Sequence, residues 1–121
     1  MNKQQTLLQS FGNAFKGMQV FFLKDRNGKI HLAATLAVTI LAFALNINAT
    51  EWVAVLLCIG LVIGLEMINA AIEKLSDVVQ AEFHPGIKFI KDVSAAAVLW
   101  ASIISVVIAC IIFIPKIIQL L

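Results

Sequence analysis

Three long apolar runs, separated by polar segments, dominate the chain and predict three membrane-spanning helices. They cover about residues 30–47, 52–73 and 93–114. At about 1.5 Å per residue, helices of these lengths cross most or all of a hydrocarbon core of about 30 Å. The third run carries no charge, and we expect Pro115 to end its helix.

A segment before the first run predicts an amphipathic helix on the membrane surface, over about residues 5–23. Its apolar residues recur at steps of three and four, which fits one helix face. They are Leu7, Leu8, Phe11, Phe15, Met18, Phe21 and Phe22. This face suits the lipid interface, and it can also pack on the transmembrane bundle. Turns are expected at Asn27 and Gly28 and at residues 84–86.

Composition supports the membrane assignment and excludes several other classes. The chain is 61% apolar and 13% charged, whereas a soluble domain has about 25% charged residues. The net charge of +2 is too small and too dispersed to indicate nucleic acid binding. Cys58 and Cys110 lie in apolar runs and are expected to pack there rather than bind metal or form a disulfide. With no signal-peptide pattern, we expect residues 1–121 to form a single all-α membrane domain that keeps its first apolar run.

The distribution of lysine and arginine predicts the orientation of the spans, because these residues favour cytoplasmic segments. Outside the runs they are Lys3, Lys16, Lys24, Arg26 and Lys29 before the first, Lys74, Lys88 and Lys91 after the second, and Lys116 after the third. The N-terminus and the second loop are therefore expected in the cytoplasm. The first loop and the C-terminus are expected on the other side.

The second run ends in a stripe of four polar residues, Glu66, Asn69, Glu73 and Asp77. Their spacings of three, four and four align them on one helix face. A carboxylate in mid-membrane costs about 2.5–3.5 kcal/mol on insertion scales, so Glu66 requires a polar partner, a metal or a water-filled site. For Asp77, solvation at the cytoplasmic end is a sufficient explanation.

Further charged residues are expected to reach the same side of the membrane. Asp25 and Arg26 precede the first run, and Lys91 and Asp92 precede the third. Carboxylates clustered with lysine suit a nucleotide phosphate held through a divalent metal. A proton or cation pathway, as in a small transporter or channel subunit, explains Glu66 equally well on physical grounds. A structural scaffold is a third hypothesis.

Two segments resemble the small prokaryotic diacylglycerol kinase family. Residues 66–73, EMINAAIE, resemble its E-x-x-N-x-x-[IV]-E signature, and residues 91–99, KDVSAAAVL, resemble its K-D-x-x-[SA]-A-A-V-L segment. Their separation, the three spans and the surface helix also match, so the resemblance covers about residues 11–115. Residues 15–17, FKG, and residues 26–31, RNGKIH, look more like the undecaprenol kinase branch.

The resemblance implies an ATP-dependent lipid kinase without a P-loop, active as a homotrimer whose sites are shared between neighbouring chains. By position, Glu66 matches the family's catalytic base, and Glu73 matches a carboxylate that binds the divalent metal, Mg²⁺. Asn69 matches a group that orients the triphosphate or metal. Lys91 with Asp92 matches the nucleotide-binding pair, and Asp77 a further acidic position near the nucleotide.

Some positions depart from the family pattern or carry less information. Asp25 stands where the second metal carboxylate is normally a glutamate, so a bridging water is one way for it to reach the metal. His31 replaces a glutamate of the enterobacterial members and is expected to be a packing or interfacial residue. His84 is expected in a turn. Lys16 is expected at the interface, where a contact with phosphate would add it to the nucleotide-binding set. The acceptor, diacylglycerol or undecaprenol, is not specified by these residues.

Overall fold

The computed structural model describes residues 4–121, which form four helices joined by short segments. The helices are α1 (Leu7–Lys24), α2 (Arg26–Ala44), α3 (Ala49–Val79) and α4 (Pro85–Leu120). No β-strand occurs between residues 4 and 121. Three of the helices, α2, α3 and α4, are long and apolar enough to cross a membrane. The predicted architecture of one amphipathic helix and three transmembrane helices is therefore confirmed; Lys3, used for the orientation, lies outside the described residues.

Most apolar side chains of the spans point away from the other helices. In the most apolar 18-residue stretch of α2, only 11% is buried within the chain. The corresponding value is 22% for α3 and for α4. Outward-facing residues include Leu57, Trp100 and Ile111. A water-soluble protein rarely exposes so much contiguous apolar surface. These faces are suited to lipid or to other membrane helices, and the chain is a multi-pass membrane protein.

The corner between α1 and α2 depends on Asp25, which is the only residue between the two helices. Its Oδ1 accepts a hydrogen bond of 3.0 Å from the backbone N–H of Gly28 and so caps the first turn of α2. The turn expected at Asn27 and Gly28 is therefore wrong, because both residues are already helical. Gly28 is buried against Phe21 of α1.

A tight turn joins α2 to α3 at the opposite end of the bundle. Asn46 adopts φ 52°, a left-handed conformation that asparagine tolerates better than most residues. Asn48 then caps α3, with its Oδ1 accepting from the N–H of Glu51 at 2.9 Å, and Glu51 Oε1 accepting from the N–H of Asn48 at 3.0 Å. A small apolar core is packed beside this turn, formed by Ala42, Ile47, Val55, Ile112 and Phe113.

Helix α4 is longer than the third apolar run at both ends. It begins at Pro85, and the ring Nδ1 of His84 accepts from the N–H of Gly86 at 3.0 Å. Of the turn expected at residues 84–86, only His84 therefore lies outside the helix, as its N-cap. It also continues through Pro115 to Leu120, so the prediction that Pro115 ends the helix is wrong. Transmembrane helices tolerate proline where neighbouring groups compensate. Lys116 Nζ lies 3.2 Å from Oε1 of Glu51, and this ion pair connects the end of α4 to the start of α3.

Helices α2 and α3 also differ from their predicted spans. Helix α2 begins at Arg26, before residue 30, and ends at Ala44. Helix α3 begins at Ala49 and continues past residue 73 to Val79. The extension keeps the whole polar stripe, including Asp77, on one continuous helix. Likewise, the early start of α4 makes Lys88, Lys91 and Asp92 helical residues.

Replacing Gly28 with alanine should destabilise the corner between α1 and α2, because an added Cβ would meet the backbone carbonyl of Phe21. We expect a loss of about 1–3 kcal/mol, as for other overpacked sites. Gly12→Ala is the matched control, since nothing lies within 4 Å of a Cβ added there. It should be neutral or stabilise α1 by up to about 1 kcal/mol. Melting temperatures in detergent test both; equal values for Gly28→Ala and wild type would contradict the close contact.

Candidate functional site

The polar stripe of α3 changes from buried to exposed along the helix. Glu66 and Asn69 are only 3% and 4% exposed, whereas Glu73 and Asp77 are exposed. Ser76, on a neighbouring face, is also buried. The stripe therefore brings one protected carboxylate and two accessible carboxylates to the same side of one helix.

Asn69 connects α3 to α4 through its side-chain amide. The hydroxyl of Ser94 donates a hydrogen bond of 2.6 Å to Asn69 Oδ1. Asn69 Nδ2 in turn donates to Glu73 Oε1 over a longer distance of 3.5 Å. These two hydrogen bonds orient the Asn69 amide so that its nitrogen, Nδ2, faces Glu73. Ser94 was not singled out from the sequence, although its place three residues after Lys91 puts it on the face of α4 that contacts α3.

Glu66 is approached by a residue of α2. The distance from His31 Nε2 to Glu66 Oε2 is 3.6 Å, and the side chains are 23% and 5% exposed respectively. The sequence indicated that Glu66 needs a polar partner, and His31 supplies one. His31, expected to be a packing or interfacial residue, lies between α2 and α3 beside this carboxylate, and its role stays a prediction. Nothing in the local sequence of α2 indicates this contact, because it depends on how α2 is rotated against α3.

Two ion pairs lie near the ends of α3 and α4. Lys91 Nζ is 2.5 Å from Asp77 Oδ1, and Lys88 Nζ is 2.5 Å from Asp92 Oδ2. Lys91 and Asp92, expected to act as a pair, are thus each matched with a different residue. These pairs are largely exposed, and exposed pairs contribute little to stability. Opening either pair, so that the lysine can bind a phosphate or the aspartate a cation, therefore requires little free energy.

A concave surface beside this cluster has a suitable size for part of a nucleotide. It has a volume of about 300 Å³ and lies where α3 passes into α4. The charged and titratable residues that line it are Glu82, His84, Lys88, Lys91 and Asp92. It therefore combines donors for phosphate oxygens with carboxylates that accept hydrogen bonds.

Asp25 lies on a different face of α3 from the polar stripe. It borders a cavity of about 510 Å³ between α1 and α3, together with Gly17, Met67, Ala70 and Ala71. The α3 residues that line this cavity are rotated by roughly 100° about the helix axis from the polar stripe. Across residues 4–121, no three His, Cys, Asp or Glu side chains gather as a metal site would require. Lys16 is exposed on α1, next to Gly17.

Comparison with known proteins places this arrangement in a family. Residues 12–113 match the model described as prokaryotic diacylglycerol kinase. The chain is 36% identical to the undecaprenol kinase of Bacillus subtilis (strain 168) over 115 residues, covering 95% of this chain and 94% of that protein. It is 29% identical to the diacylglycerol kinase of Escherichia coli (strain K12) over 105 residues, covering 87% and 86% of the two chains.

A third relative is the diacylglycerol kinase of a Synechocystis species. It is 34% identical over 116 residues, which cover 95% of this chain and 66% of that protein. The family match spans most of α1, all of α2 and α3, and α4 as far as Phe113. It therefore includes the polar stripe, His31, Asp25 and the charged start of α4. This chain belongs to the prokaryotic diacylglycerol kinase family.

Proposed function

We propose that this protein is a lipid kinase that transfers the γ-phosphate of ATP to the hydroxyl of a membrane lipid, diacylglycerol or undecaprenol. The observation that carries the proposal is the stripe of α3, which joins a buried carboxylate to an exposed cluster of charges. The names of the relatives, undecaprenol kinase and diacylglycerol kinase, support the same activity. A proton or cation pathway through Glu66 finds no comparable support among these relatives.

In this proposal Glu66 is the general base. It is buried among the transmembrane helices, so in this proposal the lipid hydroxyl approaches it from within the membrane. Glu66 takes the hydroxyl proton while the lipid oxygen forms a bond to the γ-phosphorus. The bond from that phosphorus to the bridging oxygen breaks, and ADP leaves. General-base catalysis by a placed carboxylate contributes about 10²–10⁴-fold to such reactions.

The exposed part of the stripe is assigned to ATP. Lys91 and Asp77 already form an ion pair that a phosphate oxygen can open by taking the lysine. Asp92 and Asn69 complete the nucleotide-binding set, with Asn69 held in one orientation by Ser94. Lys16 on α1 is assigned to an outer phosphate contact, because a long cationic side chain on an interfacial helix can reach a ligand at the membrane surface.

Magnesium is the metal that suits these carboxylates. Mg²⁺ is usually bound through one or two carboxylates together with substrate phosphates, so no dedicated cluster of three protein ligands is needed. Glu73 is exposed and Asp25 is half-buried, and both provide the hard oxygen donors that Mg²⁺ prefers. When bound, the metal would neutralise charge on the β- and γ-phosphates.

A homotrimer with shared sites accounts for features that one chain leaves incomplete. Asp25 lies beside a different face of α3 from the one that carries Glu73, so a neighbouring copy is the simplest source of the second metal ligand. The large apolar faces of α2, α3 and α4 are available for contacts between copies. Residues 1–121 act as one membrane domain in this proposal. It is located in the inner membrane of a bacterial cell, with its N-terminus and active site in the cytoplasm.

Glu66→Gln should abolish most phosphotransfer while leaving nucleotide binding intact, because glutamine is nearly isosteric but a far poorer base. We expect a fall in kcat of about 10²–10⁴-fold. Glu51→Gln is the matched control, since it makes the same change on the same helix about 22 Å away. ATP consumption would be measured with purified diacylglycerol and undecaprenol in nanodiscs. Turnover of Glu66→Gln close to wild type would remove Glu66 from the chemistry.

Asp25 is expected to bind metal in addition to capping α2, and its two roles can be separated by substitution. Asp25→Asn and Asp25→Ser keep a side-chain oxygen for the cap but lose the charge. Both should raise the Mg²⁺ concentration needed for half-maximal rate more than they raise KM for the lipid. Asp25→Glu keeps the carboxylate and restores the family's usual length, so its metal dependence should stay close to wild type.

Because glutamate is not among the favoured N-caps, Asp25→Glu should also lower stability by about 1 kcal/mol, whereas Asp25→Asn should not. The two measurements are Mg²⁺ titrations of the rate and melting temperatures in detergent. The same metal dependence in wild type and all three variants would leave Asp25 with the cap as its only role.

A further inference from the structure

His31 is the residue of α2 that faces the proposed base. It lies in the second turn of α2, with its Nε2 atom 3.6 Å from Oε2 of Glu66. This separation leaves the imidazole and the carboxylate in close contact, but it is longer than a hydrogen bond. Catalytic hydrogen bonds are often long in proteins without substrate and shorten in the reacting complex.

None of the lysines that form ion pairs within the described residues is paired with Glu66. Lys88 and Lys91 contact the aspartates Asp92 and Asp77, and Lys116 contacts Glu51 at the opposite end of the bundle. The neighbouring Asn69 is used by Ser94 and Glu73. A carboxylate in a membrane helix needs a compensating group. Within residues 4–121, His31 is the side chain that meets this need.

His31 is also reached from the membrane. It borders a largely apolar groove of about 250 Å³ between α2, α3 and α4. The groove continues past Thr35, Val38 and Val62 towards the middle of the spans. The imidazole thus lies beside Glu66 at the wall of a groove that lipid can reach, and it is less buried than the carboxylate that it faces.

We propose that His31 is a positioning residue that holds Glu66 for proton abstraction from the acceptor lipid. In the reacting complex its Nε2–H donates to Oε2 of Glu66, which leaves Oε1 to face the lipid hydroxyl. The proton of that hydroxyl passes to Oε1 as the lipid oxygen bonds to the γ-phosphorus and ADP departs. His31 neither gains nor loses a proton in the step. This inference rests on the proposed role of Glu66 as the base.

Two substitutions separate positioning from packing. His31→Gln retains an N–H donor at nearly the same distance from the backbone as Nε2, whereas His31→Met fills a similar volume without a donor. His31→Met should lower kcat about tenfold or more, the effect of losing one hydrogen bond to a charged group. KM for ATP and for the lipid should stay near wild type. His31→Gln should recover most of the lost rate.

Thr39→Val is the control on the same helix. Its hydroxyl donates to the backbone carbonyl of Thr35 and does not contact Glu66, so the rate should be unchanged. The decisive measurement is a double-mutant cycle. If His31 acts through Glu66, adding His31→Met to Glu66→Gln should change the residual rate by less than about twofold.

Different outcomes would reject the inference and the proposed function separately. If Glu66→Gln is inactive and His31→Met turns over like wild type, positioning by His31 is refuted and the base survives. Positioning is also refuted if both His31 variants lose equal activity or chiefly raise KM for the lipid, since that pattern belongs to packing. If Glu66→Gln itself turns over normally, the base assignment fails, and the role of His31 fails with it.

Discussion

The buried carboxylate of Glu66 is the constraint on which the arrangement of the helices depends. A carboxylate in the membrane requires a polar neighbour, and His31 of α2 is the polar side chain that approaches Glu66. One turn further along, the buried amide of Asn69 is satisfied by Ser94 of α4. Each of these two polar residues of α3 thereby orients one neighbouring helix. Polar contacts between membrane helices contribute only about 0.6–2 kcal/mol, so their main effect is to select one rotation of each helix.

A single helix can carry the chemistry of both substrates because its environment changes along its length. Glu66 and Glu73 are separated by seven residues, or about 10 Å along the axis. The first is shielded by the bundle, and the second is exposed beside the ion pairs of Asp77 and Lys91. A lipid hydroxyl and a nucleotide phosphate come from opposite phases. In the proposed function the rigid helix fixes the distance between the groups assigned to these two substrates, with no phosphate-binding loop required.

The helices and their polar stripe could be predicted from the sequence, whereas their ends and contacts could not. Apolar runs determine which segments are helical in a membrane, and a spacing of three and four residues determines which residues share a face. Pro115 misled the prediction, because the loss of one hydrogen bond is tolerated in a helix tethered by Lys116 to Glu51. The contact of His31 with Glu66 joins residues far apart in sequence. It depends on helix rotation, which no local pattern reports.

Asp25 stands where the family pattern normally has glutamate, and the corner between α1 and α2 provides a physical explanation for the shorter residue. The gap between these helices is a single residue, so the residue there must also cap α2. Aspartate is among the best N-caps, and a longer glutamate does not fold back onto the first turn as readily. Capping uses Oδ1 and leaves Oδ2 for a metal. The shorter side chain thus serves the cap at the expense of reach. In the proposed trimer, a site completed by a neighbouring chain would not require this side chain to reach a metal held over Glu73 of the same chain.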